Sequence, residues 1–270
     1  MKKIFTLLAL TISFSMNAQM SDNSSGTSAT GSNAVAMGQG TTASATASTA
    51  MGYNTTASGL VSTAMGDSST ASGIVSTAMG TFTTASGYNS TAMGSFTTAS
   101  DFASLVIGQY NSSGSSVTNN ATSFNTANTA FVIGNGTNSS NKSDAFKVMF
   151  NGDTTVSNDL TVSGDVVISS DARLKSNIVS LGSTLPKLLQ IDGKSYEMKG
   201  KQKIGVLAQE IQEVFPELVS EDDNEMLAVN YQGLVPVLIN ALKEQQIEIE
   251  TYRDEVSELK EMVQLLVSKE

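Results

Sequence analysis

The sequence has no cysteine and no histidine in 270 residues. Without cysteine there are no disulfides and no thiolate metal sites. Without histidine, no imidazole can act as a catalytic base or a metal ligand. Positive charge is missing from a long stretch. Between Gln19 and Asn141 there is no Lys or Arg, and the charged residues are Asp22, Asp67 and Asp101. The formal net charge is −10. An acidic chain without a basic patch argues against nucleic acid or an anionic membrane as partner. Beyond the N-terminus no apolar run approaches the roughly 18 residues of a membrane span, so no transmembrane anchor is expected. The N-terminus itself, "MKKIFTLLALTISFSMNAQ", puts two lysines before an apolar run that is too short to span. Small and polar residues follow. It reads as a signal peptide over residues 1–19, cut near Ala18–Gln19, and predicts a secreted or cell-surface protein.

What is present is a repeat. "AMG" recurs at 36–38, 50–52, 64–66, 78–80 and 92–94, and "VIG" takes the same phase at 106–108, a period of 14. A second mark, "TAS", runs out of phase with Ala43, Ala57, Ala71, Ala85 and Ala99. Fourteen residues cannot bury a core alone, but they can form one coil of a solenoid with two short strands. A disordered Ser/Thr/Gly tract would show no such strict register. The phased glycines suit positive φ or close backbone approach. The ladder Met37, Met51, Met65, Met79, Met93 is expected to be a stacked core row, with Ile107 in the same phase, rather than a soft-metal site. Residues 20–31 read as a flexible N-terminal segment, 32–110 as the solenoid head, and 111–169 as a neck or β-stalk. In the last of these, "DAFKVMFNGDTTVSNDLTVSGDVVIS" alternates apolar and polar positions between turns. The Asn-X-Ser/Thr triplets here are chance matches in a Ser/Thr/Asn-rich tract.

The repeat "SNAVAMGQGTTASATASTAMG" resembles the head of trimeric autotransporter adhesins. That resemblance, over about 32–110, implies a left-handed parallel β-roll and three chains side by side. The outer-membrane barrel anchor of those adhesins has no counterpart here, so their export and anchoring do not carry over.

At Ser170 the composition changes. From there on, 11 Lys/Arg face 18 Asp/Glu, a net of −7. The patterns predict an α+β module over 170–232. "LPKLLQIDGKSYEM" gives a helix, a turn and a strand. "KIGVLAQEIQEVFPELVS" gives a strand and a helix stopped by Pro216. A long helix then fills 233–270 as a coiled coil. Its seam is Leu238, Leu242, Gln245, Ile249, Tyr252, Val256, Leu259, Val263 and Leu266. β-branched a with Leu d leans to a dimer, whereas the likeness of the head to trimeric proteins favours a parallel homotrimer.

"VVISSDARLKSNI" joins the halves and holds Ser170 five residues before Lys175. With no histidine, a serine nucleophile must take Lys or a carboxylate as its base. Helical spacing would splay the two side chains and strand spacing would oppose them, so a turn, or a lysine from a second chain, is required. The structural alternative is an N-cap, Ser170 or Asp171 opening a helix, and Ser169 is a rival nucleophile. The motifs "SDARLKSNI", "IGVLAQEIQEVFPELV" and "LAVNYQGLVPVLINALKE" are similar, in order, to the C-terminal intramolecular chaperone of endosialidase-type phage tailspikes, over about 170–270. That resemblance implies a domain that trimerises the fibre and then releases itself by one cut before the Ser of Ser-Asp-x-Arg-Leu-Lys. Ser170 would be the nucleophile, Lys175 the base and Ser169–Ser170 the scissile bond. Asp171 and Arg173 would orient the segment. Asn230 departs from the usual Asp of that family.

The expectation is therefore an exported homotrimeric fibre with a self-cleaving serine peptidase activity of one turnover, no cofactor and no metal. The alternative is an adhesive fibre whose trimerisation domain stays attached. An enzyme acting on glycans is disfavoured, because Asp67 and Asp101 are the only carboxylates of the head repeats and do not form an acid pair.

Overall fold

The computed structural model describes residues 20–21, 24–222 and 225–268. The signal peptide expected at 1–19 lies outside them. The chain divides into two compact units, one ending at Val166 and one starting at Val167.

The first unit is a β-solenoid of about six turns. Each coil contributes a five-residue strand, such as Thr63–Asp67, and a two-residue strand, such as Thr70–Ala71. The long strands stack in parallel as one sheet and the short ones as a second. Register is strict: Thr63, Ala64, Met65 and Gly66 each pair with the residue 14 further on. Strand side chains alternate, so Ala64 and its equivalents point inward while Thr63 and Met65 point outward. The core is accordingly a double column of alanines, Ala36, Ala50, Ala64, Ala78, Ala92 and Ala43, Ala57, Ala71, Ala85, Ala99, all fully buried, closed by Val106 and Val132.

This overturns the expected methionine core. Met37 is 40% exposed and Met51, Met65, Met79 and Met93 are only half-buried. Two sheets joined by such short coils leave room between them for methyl groups, not thioethers, and the one-residue offset from Ala puts Met outside. The core edges are hydroxyls that bond back to turn carbonyls. Ser76 donates to Gly73 O and Ser90 to Gly87 O, both at 2.7 Å. At one corner, residues with positive φ carry Phe82, Phe96 and Tyr110, whose rings stack at 4.8 and 4.6 Å. Such pairs add about 0.5–1.5 kcal/mol each to coil-on-coil contact.

The segment expected to be flexible, 20–31, already belongs to the solenoid where it is described. Met20–Ser21 pairs with Val35–Ala36, and Ser28–Ala29 with Thr42–Ala43. The next coil supplies ladder partners, and these settle an extended chain that is only polar in composition.

The last coil is closed by Asp101. Its carboxylate, fully buried, accepts from Thr118 N at 2.6 Å and Thr129 N at 2.8 Å, and so ties the middle of the 111–128 loop to the strand that follows it. Asp101→Ala would strand the buried Thr129 amide and release the exposed Thr118 segment. It is expected to cost about 1–3 kcal/mol, read as a lower denaturant midpoint for this unit. Beyond the loop, Thr129–Asn135 continues the parallel sheet, and Asp144–Met149 and Thr154–Val156 add antiparallel strands. The strands expected after 156 do not form within one chain. Residues 157–169 carry no strand, and Leu160, Val166, Val167 and Ile168 are exposed.

In the second unit a short helix, Leu185–Leu188, is followed by the hairpin Lys194–Met198/Lys201–Gly205. A second helix, Ala208–Val214, ends before Pro216, and a small hairpin, Val219–Glu221/Leu227–Val229, leads to the long helix Leu234–Val267. The core is Ile211, Phe215 and Val237, ringed by Leu188, Ile191, Val206, Leu218 and Leu234. The long helix thus has two roles along its length. Val237 and Ala241 are buried against its own domain, whereas Leu238 and Leu242 look outward.

Candidate functional site

Ser170 and Lys175 are brought together by a single turn. Ala172–Leu174 is one turn of 3-10 helix, with Leu174 N donating to Asp171 O and Lys175 N to Ala172 O, both at 3.1 Å. The turn folds the chain back, and Lys175 Nζ donates to Ser170 Oγ at 2.7 Å within one chain. Neither regular helix nor strand would permit this at five-residue spacing.

The N-cap is Asp171, not Ser170. Asp171 Oδ1 accepts from Arg173 N at 2.8 Å. The Arg173 guanidinium also donates to both Asp171 oxygens, at 2.7 to 3.2 Å. Arg173 beside it holds the Asp171 carboxyl below the ordinary carboxylate range, and the carboxylate in turn pushes Arg173 up. Both side chains are open to water, so the pair adds little stability. Its effect is geometric: it fixes the turn and leaves the Ser170 hydroxyl unused for capping. Of the two adjacent serines, Ser170 is the one whose hydroxyl meets the amine.

The expected seam is unburied in a single chain. Leu242, Ile249, Tyr252, Val256, Leu259 and Val263 are all exposed, and the range runs from 40% at Ile249 to 69% at Leu266. Ile247, Met262 and Leu265, off that stripe, are exposed as well.

A group that sequence reasoning missed is Glu244. Its carboxylate accepts from Thr184 N at 2.7 Å, Leu185 N at 3.1 Å, Ser183 Oγ at 2.8 Å and Thr184 Oγ1 at 3.1 Å. These donors hold its pKa below the ordinary value, the Thr184 amide most. Glu244 caps the helix Leu185–Leu188 from about 60 residues away, and no local motif announces such a cap. Among the described residues, no three His, Cys, Asp or Glu side chains gather to hold a metal ion, and no helix is long and apolar enough to cross a membrane.

Comparison with curated proteins found no match. Two family descriptions do match parts of the chain. Residues 29–55, 57–83, 71–97 and 85–110 match the YadA head domain repeat, and residues 170–220 match the chaperone of endosialidase. The chain thus carries matches to the YadA head domain repeat along its β-solenoid and a match to the chaperone of endosialidase in the region that follows.

Proposed function

We propose that this protein is an exported, trimeric, adhesin-like fibre whose C-terminal domain sets the register of three chains and then severs itself before Ser170. The observation that carries the cleavage is the 2.7 Å approach of Lys175 Nζ to Ser170 Oγ within one chain.

In the step itself, the neutral Lys175 amine takes the Ser170 Oγ proton as Oγ attacks the carbonyl carbon of Ser169. The Ser169–Ser170 peptide bond breaks as an ester forms, and Lys175 passes its proton to the departing Ser170 nitrogen. Water then hydrolyses the ester, leaving a carboxylate on Ser169 and a free amine on Ser170. The substrate is built in, so effective concentrations on the order of 10⁵ M or more relieve the site of much of its task.

Ser170 and Lys175 are both exposed in the single chain. A lysine becomes a base when desolvation disfavours its charged form. Covering of the dyad by neighbouring copies would therefore switch cleavage on after assembly.

The solenoid explains why a chaperone is needed. Successive coils present the same Thr-Ala-Met-Gly rows, so a slip of one coil between chains keeps nearly every contact and register is poorly specified from within. A domain that trimerises first raises the local concentration of aligned chains. Its removal leaves a fibre that is kinetically stable. The unburied seam of the long helix supports that order of events. Leu259→Asp would place a charge in the seam of every copy. It is expected to weaken self-association about 100-fold or more, read by sedimentation equilibrium.

Intact mass spectrometry of purified protein tests the reading: two fragments parted before Ser170 support it. A full-length chain in a folded trimer would leave a fibre with its trimerisation domain attached.

A further inference from the structure

We infer that Glu244 is a positioning residue that couples the coiled-coil helix to the segment leaving the Ser170–Lys175 turn, so that assembly of the helix is transmitted to the cleavage site. The inference rests on the self-cleavage reading above.

The geometry is unusual in concentration. One carboxylate collects four donors from three consecutive residues, Ser183, Thr184 and Leu185. The Thr184 hydroxyl, on a residue only 2% exposed, also lies 3.2 Å from Val237 O on the same helix, so its one proton is shared between Glu244 and that carbonyl. A further, longer contact runs from Asn240 Nδ2 to Leu181 O at 3.4 Å. Residues 181–185 are thus fastened to two turns of the long helix, although the chain between Lys175 and Ser183 is exposed throughout.

Glu244 also stands between Leu242 and Gln245, which are seam positions. The same turn of helix that would meet neighbouring copies therefore grips the chain eight residues beyond Lys175. When the seam closes, the helix is fixed, and 181–185 is fixed with it. The exposed stretch back to the dyad then has one anchored end. Without the grip, the route from the helix to Lys175 keeps only the longer Thr184–Val237 and Asn240–Leu181 contacts.

A carboxylate acceptor is the right chemistry, since charge-assisted bonds to backbone amides are about twice as strong as neutral ones. The other charged groups on the elements packed here compete weakly. Lys243 lines the cleft with Leu181 and Ser183. Lys187 of the short helix lies over the Phe215 ring, 5.4 Å from its centre. Glu248 is the next carboxylate, one helical turn on. Glu244 titrates below the ordinary carboxylate value of 4.5. The grip is therefore fully present above that value and is lost as pH falls through the lower folded one.

The test uses the full chain in two forms. In uncleavable Ser170→Ala protein, amide hydrogen exchange at Thr184 and Leu185 is followed from about pH 6 to pH 3. Protection is expected to fall at least tenfold when Glu244→Ala is added. It should also fall with acid when Glu244 is present, and show no such acid step in Glu244→Gln. In the chain that keeps Ser170, Glu244→Ala is expected to cleave at least tenfold more slowly while light scattering still shows the parent's oligomer. Should Glu244→Ala fail to assemble, Glu244→Gln serves for the same comparison. Unchanged protection, or cleavage at the parent's rate, overturns the inference. A parent chain that never cleaves as a trimer overturns the self-cleavage reading and the coupling together. A parent that cleaves beside an equally fast Glu244 variant overturns the coupling alone.

Discussion

In the Ser170→Ala chain, intact mass spectrometry is expected to show one full-length species where the parent shows two. Removing the hydroxyl removes the nucleophile, and losses of such groups run to about 10⁴-fold or more, so no fragment should accumulate. Lys175→Ala removes the base and should slow the cut about 10²–10⁴-fold. Lys175→Arg is the sharper variant. Arg can still donate a hydrogen bond to Ser170 Oγ and keeps the positive charge, yet it does not give up a proton at accessible pH. If Lys175 only props the turn, Lys175→Arg cleaves nearly as the parent does. If Lys175 takes the proton, Lys175→Arg stays whole. Arg173→Ala provides the contrast. It releases Asp171 from its ion pair but leaves the Asp171 cap on the Arg173 backbone amide, so it should slow cleavage only a few-fold. Fragmentation that persists in Ser170→Ala and Lys175→Ala alike would point to an external protease acting on an exposed segment.

Gly66→Ala is expected to damage the head severely, as would the same change at any glycine of its row. A Cβ built on Gly66 would lie 2.1 Å from Gly80 O in the next coil, and Gly66 itself sits at φ +110. Two costs fall together. An L side chain is strained at that φ, and the neighbouring carbonyl belongs to a ladder that cannot retreat without breaking its own bonds. Each is worth on the order of 1–3 kcal/mol or more. The damage also spreads, because a solenoid coil is stabilised mainly by its neighbours. The check is thermal unfolding by circular dichroism, with Ser72→Ala, on the outer face of the same coil, as the control. Ser72→Ala should fall within about 0.5 kcal/mol of the parent. A Gly66→Ala chain that melts with the parent would mean that the coils are spaced more widely than the structure places them.

The glycine rows show what a sequence pattern can and cannot carry. A period of 14 with Gly38, Gly52, Gly66, Gly80, Gly94 and Gly108 in phase favours stacked coils over a disordered tract, which has no need of an identical residue every coil. It does not say which face of each strand looks inward. Methionine is larger and more apolar than alanine, so composition places it inside. The spacing of the two sheets reverses this, and alanine fills the core. That distance is a property of the closed coil and is not written in any one repeat.

The same division runs through the C-terminal half. The break at Ser170, the helix stopped at Pro216 and the apolar stripe of the terminal helix follow from local composition and periodicity, since charge, proline geometry and heptad spacing act over a few residues. The Ser170–Lys175 contact does not. Five-residue spacing is compatible with contact only after a particular turn, and it is Asp171, held by Arg173, that fixes this turn. Glu244 lies further still from anything the sequence displays. Its partners are about 60 residues away, and it is one of several glutamates on a helix full of them, so only the packing of Leu185–Leu188 against the long helix gives it donors. The sequence by itself determined where the chain repeats, where it changes character and which side chains could do chemistry, because these depend on order along the chain. The tertiary structure decided which side chains face each other, because that depends on distances set by all the coils and helices at once.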